Sequence, residues 1–262
     1  MAVAAGRETR PGAASNALEP ASAEELARCP FCAGREDRTP PETLRLPVGA
    51  DHWSVRVVPN LYPAVEGQEV VVHSPDHVRS LGELGDDALD LVAEAWARRA
   101  ADRTDGYVHA LVNEGREAGA SLAHSHSQLV WLPEPPPAVA SERALPGGDR
   151  VLERDGLAVT CPWAGRLPYE VQIAPVEPEP GGLRSALLAP ALRLLAEMIR
   201  RLRALEGPLP LNAWLHDGAH WHLELLPRVA VLAGLELGAG VYVNSLPPEE
   251  AAARLRAAEG GA

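Results

Sequence analysis

The residues best suited to chemistry lie in "AHSHSQLVWLP", positions 123–133, where His124, His126 and Gln128 stand at alternate positions before an apolar run. In an extended strand, side chains at i, i+2 and i+4 share one face, so these three would address one small target together. A neutral imidazole can attack an activated phosphorus and hand the bound group to a second acceptor, dividing one difficult transfer into two easier ones. Such a step needs a fixed tautomer on the histidine and donors for the phosphoryl oxygens. Gln128 offers an amide N–H but cannot protonate a leaving group. An isolated HxH pair is more often two half-buried, hydrogen-bonded strand histidines, so the motif alone leaves both meanings open.

A second group is "CPFC", with Cys29 and Cys32 at the spacing of a metal knuckle or of a dithiol redox pair. Zinc would need two further ligands, for which His77 and His124 are candidates. The lack of a neighbouring thioredoxin-like pattern favours zinc, while redox use stays open. A third is "NEGREAGAS", residues 113–121, where Asn113, Ser121 and N–H groups freed by two glycines could line a nucleotide phosphate; an ordinary flexible loop has the same composition.

The elements that must position these residues follow from hydrophobic period. "HWSVRVVPNLYPAV" and "QEVVVHSPDH" read as two strands of a hairpin, with a turn at Pro59–Pro63. Residues 81–99 carry apolar positions at helical spacing, acidic early and arginine-rich late, which predicts a helix. "YVHALVNEG" and "SHSQLVWLP" are two more strands. After the proline-rich break "PEPPPAVASER" the order repeats: strands at "LAVTCPW" and "YEVQIAPVEP", a helix over residues 183–205, then "LPLNAWLHD" and "HWHLELLPR". "HSHSQLVWLP" and "HWHLELLP" share two alternate histidines, then Gln or Glu, then apolar residues and proline. A duplicated strand–strand–helix–strand–strand unit accounts for this. Residues 11–27 read as loosely packed, and the tail "VYVNSLPPEEAAARLRAAEG" as a strand and a helix.

Bulk properties narrow the partners. With 262 residues and 46% apolar content the chain can bury a full core. A net charge of −12 argues against nucleic acid or anionic lipid and favours small molecules. Each of the 24 basic residues is arginine, so Schiff-base chemistry drops out and phosphate must be held by arginine, backbone N–H groups or helix ends. No apolar run reaches the roughly 18 residues of a membrane span, and the start lacks the apolar core of a signal peptide. With three cysteines, two of them as CxxC, a cytoplasmic protein without membrane or nucleic-acid partners is expected.

Taken in order, "RETRP", "CPFC", "NLYPAV", "HSPDH", "NEGREAGAS", "HSHSQ", "HWHLELLPR" and "AGLELGAGVYVN" resemble the galactose-1-phosphate uridylyltransferase family, the nucleotidyltransferase branch of the histidine-triad superfamily. The resemblance implies an α+β fold of two tandem histidine-triad-like halves, 1–140 and 141–262, with antiparallel sheets that join and helices packed on one side. By it, His126 matches the nucleophile and Gln128 the glutamine that steadies the covalent intermediate. Cys29, Cys32, His77 and His124 match the ligands of a structural zinc. Asn113 and Ser121 match contacts to the nucleotide and its phosphates, Arg7 and Arg10 two arginines near the pyrophosphate, Asn60 the base-binding turn, and Glu236 a contact to the sugar.

Glu142, His216, His222 and Glu224 fall where some members hold a second metal, iron or zinc, usually with histidine at the last position. Glu224 departs from that pattern, and a satisfied polar pair of His222 with Glu224 is the alternative. The implied reaction is ping-pong exchange between a nucleotide sugar and a hexose 1-phosphate, with UDP-glucose and galactose 1-phosphate as first expectation and a homodimer as the assembly. "GASLAHSHSQ" with "GVYVN" also resembles a sister group that adenylylates or phosphorolyses ADP-sugars, since uridylyltransferases usually carry proline between the two histidines. A nucleotide hydrolase and a non-catalytic zinc-stabilised binding module are the readings from other classes. The family's first strand, with its glycine–tryptophan signature, is missing: the true start lies upstream, or this is a trimmed variant. The sugar-site glutamine and lysine of the best-known members also have no counterpart.

Overall fold

The computed structural model describes residues 2–3, 21–103, 105–142, 145 and 147–258. Arg7 and Arg10 lie outside the described residues. A two-residue strand, β1 (Ala2–Val3), pairs in parallel with β12 (Val243–Asn244). The other ten strands are β2 (Leu44–Leu46), β3 (Val55–Pro59), β4 (Glu69–Val72), β5 (Tyr107–Glu114), β6 (His126–Leu132), β7 (Gly148–Arg154), β8 (Leu157–Pro162), β9 (Val171–Pro175), β10 (Leu211–His216) and β11 (His222–Pro227).

These ten strands form one antiparallel sheet in the order β2-β3-β4-β6-β5-β10-β11-β9-β8-β7. Read inward from either edge, the sequence of strands is the same: two hairpin strands, a third, then a crossed pair. The two tandem halves therefore meet at β5 and β10, where Asn113 faces Asn212 and Leu111 faces Trp214.

Alternation sends every second residue into the main core, while Val58, Val70 and Val72 turn to a smaller cluster with Phe31 and Trp53 on the other face. Val55 and Val57 of β3, Ala110 and Val112 of β5, Leu129 of β6, and Leu211, Ala213 and Leu215 of β10 pack with helices α2 (Asp86–Ala101), α4 (Leu188–Glu206) and α6 (Pro248–Ala257). Helix α2 buries Leu89, Val92, Ala93 and Trp96, a spacing that keeps them on one stripe. Its acidic first turn (Asp86, Asp87) and basic last turn (Arg98, Arg99) suit the helix dipole.

Both long helices start later than the hydrophobic period suggests. A 3₁₀ turn at Leu81–Glu83, capped by Ser80 Oγ on the Gly82 N–H (3.0 Å), is followed by the extended residues Leu84 and Gly85 before α2 begins. A second 3₁₀ turn at Gly182–Arg184 precedes α4, with Ser185 extended and Leu187 already in the right-handed helical region. The segment read as loose contains α1 (Ala23–Arg28), capped by Ser22 Oγ on the Glu25 N–H (3.1 Å). The proline-rich break contains α3 (Pro137–Ala140), and α5 (Gly234–Ala239) precedes β12. No described helix is long and apolar enough to cross a membrane.

Candidate active site and metal centres

Cys29, Cys32, His77 and His124 converge from the loop after α1, the loop after β4 and the loop that leads into β6, with ligand atoms all within 4.8 Å of one another. His124 Nδ1 lies 3.4 Å from Cys29 Sγ and 3.8 Å from Cys32 Sγ, and His77 Nδ1 lies 3.3 Å from Cys32 Sγ. A tetrahedral S₂N₂ zinc site places its S and N ligands roughly 3.6 Å apart, so the spacing fits.

The far nitrogens confirm which atoms face the centre. His124 Nε2–H donates to the Ser74 carbonyl (2.9 Å) and His77 Nε2–H to Glu25 Oε1 (2.9 Å), leaving both Nδ1 lone pairs pointing inward. Arg79 donates to the same Glu25 carboxylate, through Nε at 2.9 Å and through Nη2. Burial, then the hydrogen bond to Cys29, pushes the Cys32 thiol up to about 11, so ionising this thiol at neutral pH calls for a cation. Glu25 was not legible in the sequence, because its role comes from a six-residue helix with no buried side chain of its own.

Phe31, inside the knuckle, packs edge-on against His124 (5.9 Å between centroids) and His126 (5.5 Å), coupling the loop to β6. His126 is 8% exposed, and its Nδ1–H donates to the His124 carbonyl at 2.7 Å. That bond fixes the tautomer and leaves Nε2 with a free lone pair. Burial lowers its pKa below the ordinary histidine value, so the ring is neutral at physiological pH.

Behind the strand, on the core side, His73 bridges Ser125 Oγ and Ser127 Oγ at 2.9 Å each, and Trp96 Nε1 donates to Ser127 Oγ at 2.8 Å. Two residues beyond His126, and on the same face, Gln128 receives a hydrogen bond on Oε1 from Gln68 Nε2. Sequence reasoning passed over His73 and Gln68, since both act through cross-strand neighbours.

Asn60 begins the β3–β4 loop, its Oδ1 accepting the Tyr62 N–H (3.0 Å). Asn113 stands on β5 with its Oδ1 held by Asn212 Nδ2 (2.8 Å), which also donates to the Ala118 carbonyl (2.8 Å). Asn212 thus anchors the 115–121 loop, a part invisible before the β5–β10 register is known. Gly115 has φ +83°, and a Cβ there would meet Pro210 at 2.9 Å, so glycine is required at this turn.

Ser121 lines a cleft of about 770 Å³ together with Arg79, Glu114, Arg116 and Arg203. Glu114 alternates with Asn113 and faces the helical layer, accepting from Ser80 Oγ (2.7 Å) and the Leu81 N–H (2.6 Å). Glu114 therefore faces the side of the sheet opposite Asn113, and the glycine loop follows directly after both. Glu236 sits on α5, where Oε2 accepts the Ala233 N–H (2.9 Å) and closes the first turn.

The second group forms where β10 and β11 pair, with Glu142, His216 and His222 offering ligand atoms within 4.8 Å of one another. His216 Nδ1 is 3.4 Å from Glu142 Oε2, and His222 Nε2 is 3.7 Å from Glu142 Oε1. Glu224 stands outside that trio: Oε1 faces His222 Nε2 at 3.3 Å while Oε2 is bound by Arg166, which also holds Glu170. Of the four residues expected together, three could hold a metal ion and the fourth is committed to an arginine. Burial raises the Glu224 pKa, but His222, Arg166 and His216 outweigh it and bring it to about 2.

Comparison with known proteins agrees with this geometry. Residues 62–134, which include His77, Asn113, Ser121, His124, His126 and Gln128, match the sequence model of the galactose-1-phosphate uridyl transferase N-terminal domain. ADP-glucose phosphorylase of Arabidopsis thaliana is 28% identical over 87% of this chain and 81% of its own. Galactose-1-phosphate uridylyltransferase of Streptomyces lividans is 26% identical over 89% and 79%. A crystal structure of the Arabidopsis ADP-glucose phosphorylase with bound ADP-glucose superposes with a TM-score of 0.80 at 25% identity, covering 88% of this chain and 91% of that one. Through the domain match over residues 62–134, and through sequence and fold along most of its length, the chain is similar to galactose-1-phosphate uridylyltransferases and to ADP-glucose phosphorylase.

Proposed function

We propose that the protein transfers a nucleotidyl group from a nucleoside diphosphate hexose by double displacement on His126. The observation that carries this reading is the His126 Nδ1–H bond to the His124 carbonyl, which leaves a neutral, buried ring with Nε2 free beside the Gln128 amide. The Nε2 lone pair attacks the α-phosphorus, the α–β bridging P–O bond breaks, and hexose 1-phosphate leaves with that electron pair. A phosphate oxygen of the second substrate then attacks the same phosphorus and expels His126. A phosphate leaving group needs no general acid, which suits Gln128; water attack gains nothing from an amide that cannot take a proton, so hydrolysis is disfavoured.

Cys29, Cys32, His77 and His124 would hold a zinc ion, whose contribution is to brace the knuckle and the start of β6. Arg7 and Arg10 near the pyrophosphate, Asn60 at the base, Asn113 and Ser121 at the phosphates, and Glu236 at the sugar complete the proposed substrate contacts. The assembly proposed is a cytoplasmic homodimer.

For the donor, similarity to ADP-glucose phosphorylase, in sequence and in a structure with ADP-glucose bound, favours an ADP-hexose, with orthophosphate as acceptor. We therefore put adenylyl transfer ahead of UDP-glucose with galactose 1-phosphate, the second reading, which similarity to the Streptomyces uridylyltransferase supports. Intact mass after separate incubation with ADP-glucose and UDP-glucose tests both at once. A nucleotidyl adduct that forms from ADP-glucose and is lost in His126→Ala supports the first; an adduct from UDP-glucose alone selects the second. No adduct from either, in folded metal-loaded protein, leaves a hydrolase or a zinc-stabilised binding module.

A further inference from the structure

The β3–β4 loop ends at Gln68, a residue 6% exposed that is held from both of its polar ends. Its backbone carbonyl accepts the Asn60 N–H (2.8 Å) and closes the loop. Its side-chain Oε1 accepts the Ala64 N–H (2.8 Å). A backbone N–H can only donate, so the atom facing Ala64 is the amide oxygen, and Nε2 is the atom turned toward β6. There it donates to Gln128 Oε1. Val70 pairs with Gln128 across β4 and β6, so Gln68, two residues earlier, lies diagonally on the same face.

An amide side chain flips between two nearly isosteric orientations, and which end it shows depends on its partners. With its carbonyl engaged by Gln68, Gln128 is left with its NH₂ group for the phosphoryl oxygens. In the flipped state it would present a carbonyl lone pair to an anion. We propose, resting on the nucleotidyl-transfer reading, that Gln68 is a positioning residue that sets the Gln128 amide donor-outward and ties this orientation to the closed Asn60–Ala64 turn. The phosphate clamp is thereby coupled to the turn assigned to the base.

Two near-isosteric variants separate orientation from structural support. Gln68→Glu keeps the acceptor for the Ala64 N–H but offers Gln128 a second acceptor, which turns the Gln128 NH₂ inward. Gln68→Met removes both side-chain hydrogen bonds and leaves Gln128 free to choose. Adduct formation on His126 should slow about 30-fold in Gln68→Glu and only about threefold in Gln68→Met, whereas thermal stability should fall more in Gln68→Met. A purely structural residue would give the reverse order of rates.

The same substitutions in a Gln128→Leu background decide whether Gln68 acts through Gln128. There Gln68→Glu should change the rate by less than about twofold. Persistence of its full penalty would mean that the added charge, and not the amide orientation, slows the reaction, and would overturn the inference. Equal rates for wild type and Gln68→Glu would overturn it too. Absence of any adduct on wild-type protein would instead remove the nucleotidyl-transfer reading, and this inference with it.

Discussion

Strands β6 and β11 carry nearly the same motif and set it among opposite kinds of neighbour. In both, a histidine donates Nδ1–H to the carbonyl two residues earlier: His126 to His124 at 2.7 Å, His222 to His220 at 3.0 Å. In both, the next residue on that face is an amide or a carboxylate, Gln128 or Glu224. These two stand in one row of the sheet, linked through Leu111 and Trp214, roughly 14 Å apart at ordinary strand spacing.

What differs is the company. Gln128 is flanked across the strands by Val70 and Leu111, so the neutral His126 keeps its Nε2 unengaged by charge. Glu224 is flanked by Gln172 and Trp214, and Arg166 lies over the Trp214 ring at 5.2 Å while binding Glu224 and Glu170. His222 Nε2 there meets the carboxylates of Glu142 and Glu224. A free lone pair suits the proposed nucleophile; one surrounded by carboxylates suits a ligand or an ion-pair donor. Backbone geometry alone does not confer the chemistry; the row of neighbours does.

The sharpest break of the comparison is a matched pair of substitutions. His126→Ala should lower adduct formation by more than about a thousandfold, while His222→Ala should leave it within about tenfold and instead lower stability, read by single-turnover mass spectrometry and urea unfolding. Next, Gln128→Glu gives β6 the pattern of β11. A carboxylate beside the phosphoryl group should slow transfer about a hundredfold through repulsion and loss of the N–H donor, measured as the rate of each half-reaction.

Cys32→Ser removes one of four converging ligands. Bound metal measured by elemental analysis should fall from one equivalent at the knuckle to well below it, with a lower melting temperature. Arg166→Met should cost about 2 kcal/mol in urea unfolding, below the figure for a fully buried pair because the guanidinium is partly exposed, since Glu224 and Glu170 would remain as uncompensated carboxylates.

The smallest effect is in pH dependence, and its sign differs between the halves. Burial, then the charges of His126 and His124, holds the His73 pKa well below 6.5. As pH falls below 6.5 the unfolded chain takes up a proton that the native state refuses, so His73 costs stability on acidification. For His222, burial lowers the pKa, but Glu224, the His220 carbonyl and Glu142 outweigh it and the net shift is upward. Its contribution is therefore fully present below the unfolded value and lost as pH rises through the folded one. The stability difference between wild type and His73→Asn should be smaller at about pH 5.5 than at about pH 8, and that for His222→Asn larger, by urea titration at both.

Motifs whose meaning is carried by local spacing were legible in the sequence. The alternation around His126, the CxxC pair, the repeated strand–strand–helix order and the amphipathic stripes of α2 and α4 all describe what the chain does within a few residues. Edge strands β2 and β7 were not, because "LRL" is three residues long and "GDRVLER" buries one residue of seven, so neither shows the alternation of a half-buried strand. Glu25, Gln68, Asn212 and Arg166 escaped for a different reason. Each is an ordinary polar residue until sheet register sets it against His77, Gln128, Asn113 or Glu224. The grouping of Glu142 with His216 and His222 was legible only through family resemblance, and the diversion of Glu224 to Arg166 not at all.

The central claim, that β6 and not β11 carries the nucleophile, is tested most directly by locating the adduct. Wild-type protein would be incubated with ADP-glucose and, separately, with UDP-glucose, digested under conditions that preserve phosphoramidates, and mapped by fragmentation mass spectrometry. The account predicts one nucleotidyl group on the peptide containing His126 and none on the peptide containing His222. A nucleotidyl group on His222, or turnover with no modified histidine on either strand, would contradict it.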